Sequence, residues 1–97
     1  MKHQHGYTAD RARYIARMKR IEGQVRGVER MIEENQYCID ILTQISAINS
    51  ALENVGLALL DEHLQHCVAG AVEDGGRDAV DAKIEEAMQA IKRMVKS

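Results

Sequence analysis

The 97-residue sequence predicts an all-α subunit, with two long helices followed by one short C-terminal helix. Three observations predict it. Apolar residues recur at steps of three and four, the spacing that gathers them on one helix face. Proline is absent, so nothing of that kind interrupts a long helix. Hydrophobic residues make up 45% of the chain, yet Phe and Trp are missing and Tyr occurs three times. A core of Ile, Leu, Val, Met and Ala suits helix-on-helix packing. A chain this short buries little core by itself, so a second copy belongs to the expectation.

The first helix is expected from about Thr8, a good N-cap, to Glu34, with residues 1–7 a flexible tail. Its apolar stripe is Tyr14, Met18, Ile21, Val25, Val28 and Ile32, stepping 4, 3, 4, 3 and 4. Gly23 and Gly27 each cost about 1 kcal/mol against Ala in a helix interior, and close packing against a neighbour is the expected compensation. The polar segment "ENQY" (34–37) contains Asn35 and suits a tight turn.

A second stripe follows at once: Ile41, Ile45, Ile48, Leu52, Val55 and Leu59. Leu42, Leu57, Leu60 and Leu64 widen it, so this helix is expected to lie between others, from about Tyr37 to Val68 or a little beyond. "EDGG" (73–76) should end it in a loop. Val80, Ile84, Ala87, Ile91 and Met94 then give a short amphipathic helix to the C-terminus.

The formal net charge of −2 hides an asymmetry: residues 1–30 carry a balance of +5 and residues 31–97 a balance of −7. A basic end on an acidic body points to an anionic partner, nucleic acid first. The charges sit on the first helix at Arg11, Arg13, Arg17, Lys19, Arg20, Arg26 and Arg30, with Arg13, Arg17 and Arg20 on one stripe. Neither a helix-turn-helix signature nor an aromatic-rich RNA-binding strand accompanies them. Arg13, Arg17, Lys19, Arg20 and Arg26 are therefore candidate phosphate contacts on double-stranded DNA. Arg26 has the alternative of pairing with Glu22 four residues back, and Gln24 is either a base reader or a solvent-facing side chain.

The segment "DEHLQHC" (61–67) sets His63 and Cys67 four residues apart, on one helix face. The alternative reading is a surface imidazole and a small buried hydrophobe. Cys38 lies on the same stripe, but 25 residues of helix separate it from His63, about 38 Å at 1.5 Å per residue. Either the helix breaks, or Cys38 comes from another chain. Two copies of the helix packed antiparallel near Leu52 would bring each Cys38 beside the partner's His63 and Cys67. With the first helices added, the dimer becomes an antiparallel four-helix bundle with two equivalent sites. Two thiolates and one imidazole suit soft Cu(I). Zn(II) would need a fourth donor such as His66, and Ni(II) more nitrogen, for which His3 and His5 stand in the tail. No carboxylate–histidine orienting arrangement is evident in the sequence beyond an acidic surface, so no enzyme is expected. No apolar run approaches the roughly 20 residues of a membrane span, and "MKHQHGYTAD" lacks a signal-peptide centre. A cytoplasmic location is expected, where two cysteines favour metal or redox roles over a structural disulfide.

The run "MKRIEGQVRGVERMIEENQYCIDILTQISAINSAL", followed by "HLQHC", resembles the copper-sensing operon repressor (CsoR) family, over about residues 7–95. The resemblance implies one domain that both senses metal and binds DNA, in an antiparallel dimer that pairs into a dimer of dimers. It implies operator binding when metal-free, and release of copper-resistance genes when Cu(I) bridges two chains through Cys38, His63 and Cys67. Tyr37 matches the family's tyrosine beside the ligand histidine, and Glu86 its glutamate partner, with Glu85 the alternative because the preceding loop differs in length. The family's operators are G/C-rich with A/T-rich flanks, where groove shape contributes to selectivity. Nickel-sensing members add an N-terminal histidine, near His5 here, and often replace the second cysteine. Persulfide sensors lack the central histidine and formaldehyde sensors the second cysteine, so His63 and Cys67 argue against both.

Overall fold

Asn35 turns the chain at the end of its first helix. The structure, a computed structural model, describes residues 10–96. Its elements are α1 (Arg11–Glu33), α2 (Cys38–Asp74) and α3 (Gly76–Lys96), with no strand among the described residues. The expected tail, the Thr8 cap, His3 and His5 lie outside the described residues.

At the α1 terminus the Gln36 amide donates to the Met31 carbonyl (3.0 Å) and the Asn35 amide to the Ile32 carbonyl (3.1 Å). This pattern satisfies carbonyls that the ending helix would leave open, and it requires a left-handed residue. Asn35 provides it with φ 55°. The Tyr37 carbonyl then accepts from the amides of Asp40 and Ile41, opening α2. Asn35→Ala should lower the urea midpoint by the equivalent of about 1 kcal/mol at unchanged slope, because Ala lacks the short polar side chain whose local hydrogen bonding offsets the left-handed strain for Asn. Asn35→Gly should lose less.

The described residues divide into two compact units, one of Ala12–Val55 and one from Gly56 onward. In the first, α1 packs on the leading half of α2, and the two heptad positions of each stripe have different fates. Tyr14, Ile21, Ile48 and Val55 are buried, and Val28 and Ile41 are half-buried. The alternate positions Met18, Val25, Ile32, Ile45 and Leu52 are exposed, from 38% for Ile45 to 58% for Ile32. One heptad position thus closes the hairpin, while the other forms an open apolar stripe. Close packing inside the chain does not explain Gly23 and Gly27. A Cβ at Gly27 would meet nothing within 4 Å, and at Gly23 only the Arg26 guanidinium, at 3.9 Å.

In the second unit the trailing half of α2 packs on α3. Ala87 is buried; Leu59, Leu60, Leu64, Ile91 and Met94 are half-buried. α3 is the shortest helix, as expected, but its 21 residues approach the 23 of α1. It begins at Gly76 rather than near Val80, because Gly75 alone makes the turn and Gly76 takes φ 68°. α2 likewise outruns its expected end and continues to Asp74. No helix among the described residues is long and apolar enough to cross a membrane.

Candidate metal centre and nucleic-acid interface

His63 and Cys67 come together as their spacing predicts. One turn apart on α2 and both half-buried, they hold Sγ of Cys67 3.6 Å from Nδ1 of His63. Thiolate and imidazole bind an ion such as Zn(II) at about 2.3 and about 2.05 Å, and donors 3.6 Å apart then subtend about 110° at it. The gap fits one shared ion in trigonal or tetrahedral surroundings. Cys67 is a free thiol, as is the exposed Cys38.

α2 is uninterrupted from Cys38 to Asp74, so the chain does not adopt the broken helix that would have brought Cys38 to its own His63. Among the described residues, no three His, Cys, Asp or Glu side chains converge as a metal site. His66 is exposed and lines a different shallow pocket with Asp10, Glu62, Gln65 and Ala69. Tyr37 is 69% exposed at the start of α2. Glu86 lies on the exposed side of α3, with its Oε1 3.9 Å from Nζ of Lys83, and Glu85 accepts from the Gln89 amide at 2.9 Å. No hydrogen bond among the described residues joins either glutamate to His63.

On α1, Arg13, Lys19, Arg20 and Arg26 are exposed and Arg17 is half-buried. The Arg13 guanidinium stands 5.4 Å from the Tyr14 ring centre, a cation–π contact that steadies one end of the stripe. The alternative open to Arg26, a pair with Glu22, does not form among the described residues. Arg17, Arg20 and Gln24 line a shallow cleft of about 220 Å³ with Asn54 of α2. Sequence reasoning overlooked Asn54; its signal was a carboxamide beside the buried Val55, one helix away from the basic residues it joins.

A family profile described as metal-sensitive transcriptional repressor matches residues 10–93. The chain belongs to that family. The copper-sensing transcriptional repressor RicR of Mycobacterium tuberculosis is 60% identical to this family member over 93 residues, 96% of each chain. The crystal structure of the copper-sensing repressor CsoR with Cu(I) from Geobacillus thermodenitrificans NG80-2 superposes with a TM-score of 0.78 at 45% identity, covering 98% of this chain and 94% of that one. The nickel-responsive regulator InrS gives 0.72 at 32% identity, covering 86% and 90%. As a metal-sensitive repressor the chain has its role in transcription.

Proposed function

We propose that the chain is a Cu(I)-responsive repressor that holds operator DNA when metal-free and lets go when Cu(I) binds, derepressing copper-resistance genes. The observation that carries this reading is the His63–Cys67 pair, one nitrogen and one sulfur donor 3.6 Å apart on an uninterrupted helix. Cys38 of an antiparallel second copy supplies the third donor, across the seam of a four-helix-bundle dimer that pairs into a tetramer. Two thiolates and one imidazole favour soft Cu(I) over the harder divalent ions. The relatives named for copper sensing, at 60% and 45% identity, support the same ion. When bound, Cu(I) supplies a soft cross-link between the two copies.

The remaining roles fall to the chain's own groups. Glu86, and Tyr37 of the second copy beside its Cys38, accept hydrogen bonds around the His63 nitrogen that faces away from the ion, since ligand imidazoles commonly donate there. Glu86 would exchange Lys83 for His63, drawing α3 into the response. Arg13, Arg17, Lys19, Arg20 and Arg26 contact operator phosphates in the cytoplasm.

A nickel-responsive regulator shares the fold, so the ion itself needs testing. Anaerobic Cu(I) titration followed by X-ray absorption should give three-coordinate ligation by two sulfurs and one nitrogen. A G/C-rich promoter fragment should be retained by the metal-free protein in a gel and released at one Cu(I) per chain. Nitrogen-rich ligation, or release by Ni(II) alone, would assign the site to the nickel branch. Absence of DNA retention in every metal state would leave a copper-buffering protein.

A further inference from the structure

We propose that Gly56 is a positioning residue: it sets how closely α3 lies on the half of α2 that carries His63 and Cys67, and so how strongly metal binding there is felt by α3. A Cβ built on Gly56 would stand 2.5 Å from Sδ and 3.7 Å from Cε of Met94, far inside van der Waals contact. The missing side chain is a notch that the Met94 thioether fills. Gly70, on the same helix, has nothing within 4 Å of a built Cβ, so the closeness belongs to one level of the pair.

Counting from the turn gives the notch its importance. Gly56 lies 18 residues before Asp74, the last residue of α2, and Met94 lies 18 residues after Gly76, the first of α3. Equal counts on either side of Gly75 describe an antiparallel hairpin in register. By the same count, His63 is 11 residues before Asp74 and Ala87 is 11 after Gly76. The buried Ala87 therefore sits at the level of His63, with Glu86 next to it in sequence. α3 is pinned at two points, the glycine turn and the notch about 27 Å away, and the donor pair lies between them. A methyl group at residue 56 requires the Met94 thioether to move, and we infer that the end of α3 shifts with it. Gly56, Met94 and His63 are all half-buried, and a shift of α3 at the notch carries along the helix past the buried Ala87, so the spacing at the level of His63 changes too.

This rests on the Cu(I)-responsive reading above, and the test separates the two. The first readout involves no metal: hydrogen exchange of α3 backbone amides in the full-length apo protein. Gly56→Ala should speed exchange over residues 88–95 by about five- to thirty-fold, the effect of a small loss of packing. Adding Met94→Ala should restore wild-type protection, and Gly70→Ala should change nothing. The second readout is Cu(I)-driven release from DNA. Gly56→Ala should bind Cu(I) within a few-fold of wild type and retain DNA normally when metal-free, yet need at least tenfold more DNA competitor for the same release. The double variant should release like wild type. Unchanged α3 exchange in Gly56→Ala would overturn the proposal, showing that Met94 merely turns aside. So would failure of Met94→Ala to rescue, or an equal effect of Gly70→Ala. If the wild type ignores Cu(I) while the exchange pattern holds, the notch stands and the copper reading falls. Should Gly56→Ala fold poorly, Met94→Leu in the native background tests the same contact; unaltered exchange and release there would equally sink it.

Discussion

Cys38→Ala is expected to retain DNA as well as the native chain and to lose Cu(I)-driven release. The thiol stands exposed at the first residue of α2, outside the buried residues of its unit, so its removal leaves packing alone. If it is the third donor across the dimer seam, its loss reduces each site to the His63–Cys67 pair, a two-donor remnant within one copy. Loss of an outer hydrogen-bonding partner typically costs a metal site about 10–100-fold in affinity, and loss of a thiolate ligand should cost more. Competition with a Cu(I) chelator reads the affinity, and gel retention reads the response. Mixing Cys38→Ala with a Cys67→Ala chain adds a sharper check. A mixed dimer carries one intact site and one lacking two donors, so partial release should return. Normal release by Cys38→Ala alone would remove Cys38 from the site.

Charge reversal at Arg17 and Arg20 carries the second large effect. Both line the cleft shared with Gln24 and Asn54, and each is expected to make a charge-assisted bond to a phosphate. Such bonds contribute roughly 1.5–3 kcal/mol apiece, so removing two should weaken operator binding by at least about 100-fold at moderate salt. The slope of log K against log salt concentration should fall by about 0.9 for each phosphate that the variant no longer neutralises. Cu(I) stoichiometry and helix content should stay unchanged, since neither residue belongs to the metal site. Unaltered affinity would make the stripe solvated surface. The cleft adds a finer expectation. Asn54→Ala should alter preference among operator sequences more than overall affinity, because a carboxamide reads base edges where a guanidinium on phosphate does not.

The helices were legible because their apolar residues keep a strict 4–3 rhythm. That rhythm could not say which heptad position closes the hairpin. Tyr14, Ile21 and Ile48 turn inward while Met18, Val25 and Ile45 stay open, and both sets obey the same period. The start of α3 was hidden for a related reason. Gly76, Arg77 and Asp78 contain no apolar residue, so periodicity is silent over a turn that is already helical. His63 and Cys67 were legible because i and i+4 are neighbours on any helix. The intimate approach expected at Gly23 and Gly27 occurs at Gly56 instead. Its neighbour Met94 is 38 residues away, and only the register of the α2–α3 hairpin brings them together.

The open stripe of Met18, Val25, Ile32, Ile45 and Leu52 has a consequence for the cell. If a second copy covers it, folding and assembly form one equilibrium governed by mass action. The melting temperature should then rise with protein concentration, and dilution should loosen the sensor before it unfolds. If each ion site is also shared between two copies, as proposed, sensitivity to copper becomes tied to gene dosage. A cell that makes few copies would then hold fewer complete sites, and one that makes many would hold more dimers poised to respond.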